Sequence, residues 1–91
     1  LGISVDSPWA NGAFADKYDL NFELLSDLDR TATKDYNLIF KGLGGIEGYT
    51  CANRGVVIID SDGVIRYRWV AEPNPGVEPN YEEIKETVKN L

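Results

Sequence analysis

The pattern of apolar and polar positions predicts short strands alternating with helices. The most apolar run, residues 56–59, lies between Gly55 and the turn-forming residues 60–63. A short run of β-branched residues bounded in this way is typical of a strand buried on both faces. In residues 64–70, two arginines alternate with apolar and aromatic side chains, which predicts a hairpin whose second strand has one solvent-exposed face.

Helix signals occupy three other stretches. Ser7 and Pro8 predict a helix start, with the serine as cap and the proline in the first turn. The helix that follows has its apolar stripe at Ala10, Ala13, Phe14 and Tyr18 and ends near Asp19. A second helix is predicted through residues 34–36, and a third has Tyr81, Ile84, Val88 and Leu91 on one face.

Strands are also predicted at the opening residues and at 22–25, and more weakly at 38–40. Residues 41–48 carry four glycines and are predicted to be a flexible loop. The predicted order is β-α-β-α-(β)-β-β-α, an α/β class in one domain covering residues 1–91. Because the chain opens directly on an apparent strand without an initiating Met, we expect it to be a fragment.

Composition narrows the possible functions. The chain has 91 residues, 43% hydrophobic and 26% charged, which predicts a globular domain with a substantial core. A net charge of −6 without a cluster of basic residues argues against nucleic acid and anionic membranes as partners. One cysteine cannot form an internal disulfide, and we expect a cytoplasmic location. The absence of histidine excludes catalysis by His and most zinc sites.

Cys51 and Arg54 are the main candidates for chemistry. Arg54 could lower the pKa of a reactive Cys51 thiol, although residues three apart in an extended segment point to opposite sides. A lone cysteine beside a strand is more often an inert small hydrophobe. For Arg54, a salt bridge to a carboxylate and a fixed cation that holds an anionic intermediate or thiolate both stay open.

Asp27 begins a D-x-D-x-T sequence, residues 27–31, which has the form of a phosphotransferase nucleophile motif. The chain lacks a later acidic pair that could hold magnesium, so helix capping and turn formation are the preferred explanation of these aspartates. Residues 60–63 begin like a calcium loop but lack a glutamate at the required distance, and we predict a turn there.

Several segments together resemble the C-terminal half of the peroxiredoxins, the alkyl hydroperoxide reductase and thiol-specific antioxidant group. Residues 2–7 resemble the central strand and following helix start of that family, and residues 24–27 its next strand end. Residues 54–60 with 63–67 are similar to its late hairpin, the most specific of the matches. Residues 69–81 resemble the tail of the single-domain bacterial and archaeal members.

The resemblance implies a partial thioredoxin-like fold that lacks the N-terminal strands and the peroxidatic-cysteine helix. It implies a thiol peroxidase that reduces hydrogen peroxide or organic hydroperoxides through a cysteine sulfenic acid, with no cofactor and with a thiol reductant such as a thioredoxin-like protein as partner. Arg54 falls on the family arginine that stabilises the peroxidatic thiolate and the peroxide. Cys51 is a resolving or spectator thiol on this reading.

The departure from the family pattern is that the P-x-x-x-[TS]-x-x-C segment of the attacking cysteine is absent from these residues. We therefore expect the isolated chain to be inactive. The resemblance also implies that the opening strand and the residue 56–59 strand do not pair directly. The gap between them would be filled by the missing N-terminal half, by a second copy of the chain in a homo-oligomer, or by rearrangement. The rival hypothesis is a non-catalytic thioredoxin-like binding module.

Overall fold

The computed structural model describes residues 1–91 as six strands, three helices and one 3₁₀ turn at Leu43–Gly45. The strands are β1 (Gly2–Ser4), β2 (Leu24–Ser26), β3 (Ile39–Lys41), β4 (Thr50–Ala52), β5 (Gly55–Ile59) and β6 (Ile65–Val70). The helices are α1 (Pro8–Lys17), α2 (Thr31–Asp35) and α3 (Tyr81–Lys89). The predicted order is confirmed with one addition, β4, so Cys51 lies in a strand and not in the predicted loop. None of the helices has the length and apolar character needed to cross a membrane.

The chain divides into two compact units, Leu1–Ala52 and Asn53–Leu91. In the first unit, β1 pairs with β2 in parallel and β3 pairs with β4 in antiparallel register, which sets Phe40 opposite Cys51. The two strands of the parallel pair approach closely at Gly2. A Cβ atom there would lie 2.5 Å from Cδ2 of Leu24, so only glycine fits without a shift.

Helix α1 starts as predicted, because the Ser7 hydroxyl accepts a hydrogen bond from the Ala10 amide at 3.1 Å and Pro8 occupies the first turn. The predicted apolar stripe does not face inward. Phe14 and Tyr18 are more than half exposed, and the buried residue of the helix is Asn11. Hydrogen bonding of the Asn11 amide within the unit decides which face is buried, and apolar periodicity could not reveal it.

In the second unit, β5 and β6 form the predicted antiparallel hairpin, with Val57 opposite Arg68. The turn forms as predicted: Asp60 accepts hydrogen bonds from the amides of Asp62 and Val64, and Gly63 adopts a φ of 79°. Asn80 is the N-cap of helix α3, and its side chain accepts a hydrogen bond from the Glu83 amide. The Arg66 side chain on β6 is exposed, which agrees with the predicted polar face.

Two predictions about burial are wrong. Strand β5 was predicted to be buried on both faces, but only Ile58 is buried and Ile59 is 45% exposed. The composition predicted a substantial core, yet the buried apolar residues are Val5, Cys51, Ile58 and Ala71. The physical reason is the pairing: every strand has a single hydrogen-bonded neighbour, β1 with β2 and β5 with β6, so neither element is covered on both sides.

Candidate active site

Arg54 lies between β4 and β5, on an exposed stretch of backbone. Its carbonyl oxygen accepts a hydrogen bond from the Ala71 amide at 2.9 Å, which extends the β5–β6 pairing by one step. Its guanidinium donates through Nη1 to the Val77 carbonyl at 3.3 Å. The backbone of the second unit therefore holds both ends of this residue.

The salt bridges of the structure are Arg66 with Asp60 and Lys85 with Glu82, and neither includes Arg54. Within these 91 residues, Arg54 therefore forms no salt bridge. Its only acceptor is a neutral carbonyl, and the guanidinium keeps donors and a full positive charge for another group. Planar, permanently charged donors of this kind are suited to an anion or to charge that develops during a reaction.

Asn53, the residue before Arg54, is fixed to the same partner. Its side-chain amide donates to the Ala71 carbonyl at 2.9 Å. Its Oδ1 atom is buried without a hydrogen-bond partner. Ala71 is itself only 2% exposed, so the point to which residues 53 and 54 are bound is among the most protected in the chain.

Cys51 is a free thiol, 7% exposed, in the middle of β4. Burial raises the pKa of the Cys51 thiol above its ordinary value; the charge of Arg30 opposes this rise and that of Asp6 adds to it. A buried thiol with a raised pKa stays protonated near neutral pH and is a poor nucleophile. The environment of Cys51 therefore favours the interpretation of an inert thiol.

Sequence reasoning missed Arg30, the cation whose charge acts on Cys51. Its guanidinium donates to the Thr50 carbonyl from both Nε and Nη2, at 3.1 and 2.8 Å, and to the Thr50 hydroxyl at 2.9 Å. A further bond joins Nη1 to the Leu28 carbonyl. Arg30 thus fastens β4 to the start of α2. No local signal predicted this contact, because the partners are 20 residues apart in the sequence.

Asp27 is a structural residue. It is 7% exposed, and its two oxygens accept from the amides of Ala32 and Thr33 and from the Thr33 hydroxyl. The hydrogen bond from the Thr33 side chain, with those from the nearby amides, holds the pKa of Asp27 below its usual value. Both oxygens are engaged at the start of α2, which confirms helix capping as the explanation of this aspartate.

Known proteins with similar sequences and structures share this architecture. The model of the AhpC/TSA family matches residues 1–68. The chain is 39% identical over 69 residues to the putative peroxiredoxin bcp of Coxiella burnetii, covering 76% of this chain and 46% of that protein. It is 30% identical over 98 residues to the chloroplastic 2-Cys peroxiredoxin BAS1 of Spinacia oleracea, covering 100% of this chain and 34% of that protein.

Among solved structures, the mitochondrial 2-Cys peroxiredoxin from Plasmodium falciparum matches with a TM-score of 0.76 at 27% identity, covering 98% of this chain and 52% of that one. This match confirms the predicted α/β class and the partial thioredoxin-like fold. The chain spans about half the length of the Coxiella and Plasmodium proteins.

Proposed function

The chain belongs to the AhpC/TSA family, and from that premise we propose that it forms part of a thiol-dependent peroxidase that reduces hydrogen peroxide or organic hydroperoxides. The observation that carries the proposal is the Arg54 guanidinium. It is exposed, held by the Val77 carbonyl, and without a carboxylate to neutralise it. A cation in this condition is available to an anionic sulfur and to the oxygen of a peroxide.

The proposed reaction balances in one displacement. A cysteine thiolate attacks one oxygen of the peroxide, the S–O bond forms as the O–O bond breaks, and the leaving alkoxide or hydroxide takes a proton to give an alcohol or water. The cysteine becomes a sulfenic acid, and two thiol equivalents from a reductant such as a thioredoxin-like protein return it to the thiol. Arg54 stabilises the thiolate before attack and the negative charge on the departing oxygen during it.

The attacking cysteine is supplied by a segment outside these residues, since the 91 residues contain no P-x-x-x-[TS]-x-x-C sequence. That segment comes from the missing N-terminal half, whereas a second copy of the chain in a homo-oligomer could fill the gap in the sheet but brings no such cysteine. The single-neighbour pairing of β1 and β5 supports this part of the proposal, because each of these strands has an edge at which a further strand can bind.

Cys51 is proposed to be a spectator thiol and not the nucleophile. Its burial and raised pKa support this role over that of a resolving thiol, which has to be accessible to another cysteine. The cytoplasmic location predicted from the sequence stays a prediction, since similar proteins include a chloroplastic and a mitochondrial form.

Peroxide consumption with dithiothreitol as reductant tests the proposal. We expect the 91-residue chain alone to run at the background rate. We expect the whole protein, in which these residues are joined to the segment with the P-x-x-x-[TS]-x-x-C sequence, to turn over. In the whole protein, Arg54→Ala should lower kcat/KM about 100-fold, as is typical for loss of a donor to developing negative charge.

The matched control is Arg66→Ala, which removes an arginine that is already paired with Asp60 and should leave peroxide reduction unchanged. Cys51→Ser should also leave it unchanged. Turnover by the 91-residue chain alone that is abolished by Cys51→Ser would show that the assignment of Cys51 is wrong.

The alternative is a non-catalytic thioredoxin-like binding module. The absence of the attacking cysteine from these residues favours it. A whole protein that binds partners but fails to consume hydrogen peroxide or an organic hydroperoxide at any thiol concentration would establish this alternative.

A further inference from the structure

At the end of the β5–β6 hairpin, the side-chain amide of Asn53 donates the hydrogen bond that a backbone N–H group would donate in a regular strand pair. The register of the two strands makes Arg54 and Ala71 the next pair after Gly55 and Val70. In a regular hydrogen-bonded antiparallel pair, the two residues exchange both of their N–H···O bonds. Here the Ala71 amide donates to the Arg54 carbonyl, while the Ala71 carbonyl takes its hydrogen bond from the side chain of Asn53.

This substitution has a consequence for Arg54. Two hydrogen bonds, one from the Asn53 side chain and one to the Arg54 carbonyl, tie residues 53 and 54 to Ala71, although neither residue belongs to a strand. The hydrogen bond of the Arg54 side chain, to the Val77 carbonyl at 3.3 Å, is long and exposed. The Asn53 side-chain amide and the Ala71 backbone amide therefore together hold the backbone from which the Arg54 side chain extends.

We propose that Asn53 is a positioning residue that orients Arg54 for peroxide reduction through its hydrogen bond to Ala71. This inference rests on the proposed function of Arg54. Asn53 does not itself touch the reacting atoms. Its amide keeps the Ala71 carbonyl satisfied, and its buried Oδ1 atom stays without a partner.

The first test uses the 91-residue chain and needs no catalysis. The ¹H–¹⁵N NOE of the Arg54 Nε–Hε group reports its order on a fast timescale, and hydrogen exchange of the Ala71 amide reports the bond to the Arg54 carbonyl. We expect Asn53→Ala to lower the Arg54 NOE and to speed Ala71 exchange. The Nε–Hε group of Arg66, held by Asp60 at 2.7 Å, is the internal control and should not change.

The second variant, Asn53→Leu, keeps the number and branching of the side-chain heavy atoms but has no amide. It should reproduce the effects of Asn53→Ala, and it keeps the test valid if the smaller side chain fails to fold. Unchanged Arg54 order and unchanged Ala71 exchange in a folded variant would overturn the proposal.

A double-mutant cycle in the whole protein then tests the link to activity. Asn53→Ala should lower kcat/KM for hydrogen peroxide about 5- to 10-fold, in the range expected for a coupled pair of neighbouring residues. In the Arg54→Ala background, the same change should have no further effect. An equal loss in both backgrounds would show that Asn53 acts through something other than Arg54 and would overturn the inference.

The two proposals fail in different ways. If Arg54→Ala leaves peroxide reduction intact, the proposed function of Arg54 is wrong, and the inference about activity is overturned with it. If Arg54→Ala removes activity while Asn53→Ala changes neither the rate nor the order of the Arg54 side chain, only the positioning role is wrong.

Discussion

The two units of the chain bury different kinds of side chain. The buried residues of the first unit include the polar Asn11, Asp27 and Thr33, each joined to its surroundings by hydrogen bonds. The buried residues of the second unit are the non-polar Ile58, Ala71 and Pro79, and its arginines are exposed. Buried polar groups tolerate substitution poorly, because losing one partner leaves the other without a hydrogen bond and lowers stability.

The charged side chains of the two units also differ in how many hydrogen bonds they form. In the first unit, Arg30 donates to the Thr50 and Leu28 carbonyls, and both oxygens of Asp27 accept from backbone amides of α2. In the second unit, Arg54 has one weak acceptor, and the hairpin does not depend on its charge. The second unit can therefore expose the Arg54 cation, for which we propose a role in peroxide reduction, without destabilising its own fold.

The largest expected effect is at Asp27. Replacing it with alanine removes the acceptor of three hydrogen bonds at the start of α2 and leaves buried donors unpaired. We expect a loss of about 3 kcal/mol in the free energy of unfolding, measured by urea denaturation. Asp29→Ala is the matched control, since Asp29 is exposed and accepts a single bond from the Thr31 amide. Equal losses at both positions would remove the contrast between buried and exposed polar groups.

The two arginines provide a direct comparison of the units. Arg30→Ala should lower the free energy of unfolding by about 2 kcal/mol, because it leaves the Thr50 and Leu28 carbonyls without their donor. Arg54→Ala should change it by less than about 0.5 kcal/mol, as expected for an exposed side chain. The same urea titrations measure both. A larger loss at Arg54 would mean that this residue is structural after all.

Glycine replacements should act in opposite directions in the two units. Gly12→Ala in α1 should stabilise the chain by about 1 kcal/mol, because an added Cβ meets no atom within 4 Å and alanine favours the helix. Gly63→Ala in the hairpin turn should destabilise it by about 1 kcal/mol, because the φ of 79° is unfavourable for alanine. Thermal unfolding followed by circular dichroism measures both shifts, and a shift of the same sign for the pair would contradict the assigned backbone conformations.

The smallest expected effect is on how the free energy of unfolding depends on pH under acidic conditions. The folded pKa of Asp27 is lower than its ordinary value of 3.8, so the unfolded chain binds the proton first as the pH falls. The stabilisation is complete above the ordinary value and is lost as the pH falls through the lower, folded pKa. Urea midpoints measured from pH 7 downwards should therefore fall less steeply below about pH 4 in Asp27→Asn than in the natural chain. An unchanged acid slope would show that Asp27 does not carry this dependence.

Local sequence patterns predicted those elements whose start or turn is determined by a few neighbouring residues. Ser7 and Pro8 placed the start of α1, and residues 60–63 placed the hairpin turn. The family resemblance placed Arg54 at the head of β5, and its role in the reaction stays a prediction.

The missed features depend on contacts between distant residues. Strand β4 has three residues and directly follows a glycine-rich segment, and its partner β3 lies about ten residues earlier in the sequence. The burial of Asn11 requires the Leu25 carbonyl, 14 residues away. Apolar periodicity carries no record of such hydrogen bonds, so the wrong face of α1 was predicted to be buried.

The pairing of strands in twos also affects the tendency of the chain to associate with other copies in solution. Every strand has one hydrogen-bonded neighbour and so offers an open edge to other copies. A net charge of −6 opposes such association, because like-charged copies repel each other. That repulsion reaches only about 8 Å at physiological ionic strength and less in concentrated salt. Purification steps at high salt therefore favour edge-to-edge association, while dilute, low-salt buffers favour dispersed monomers.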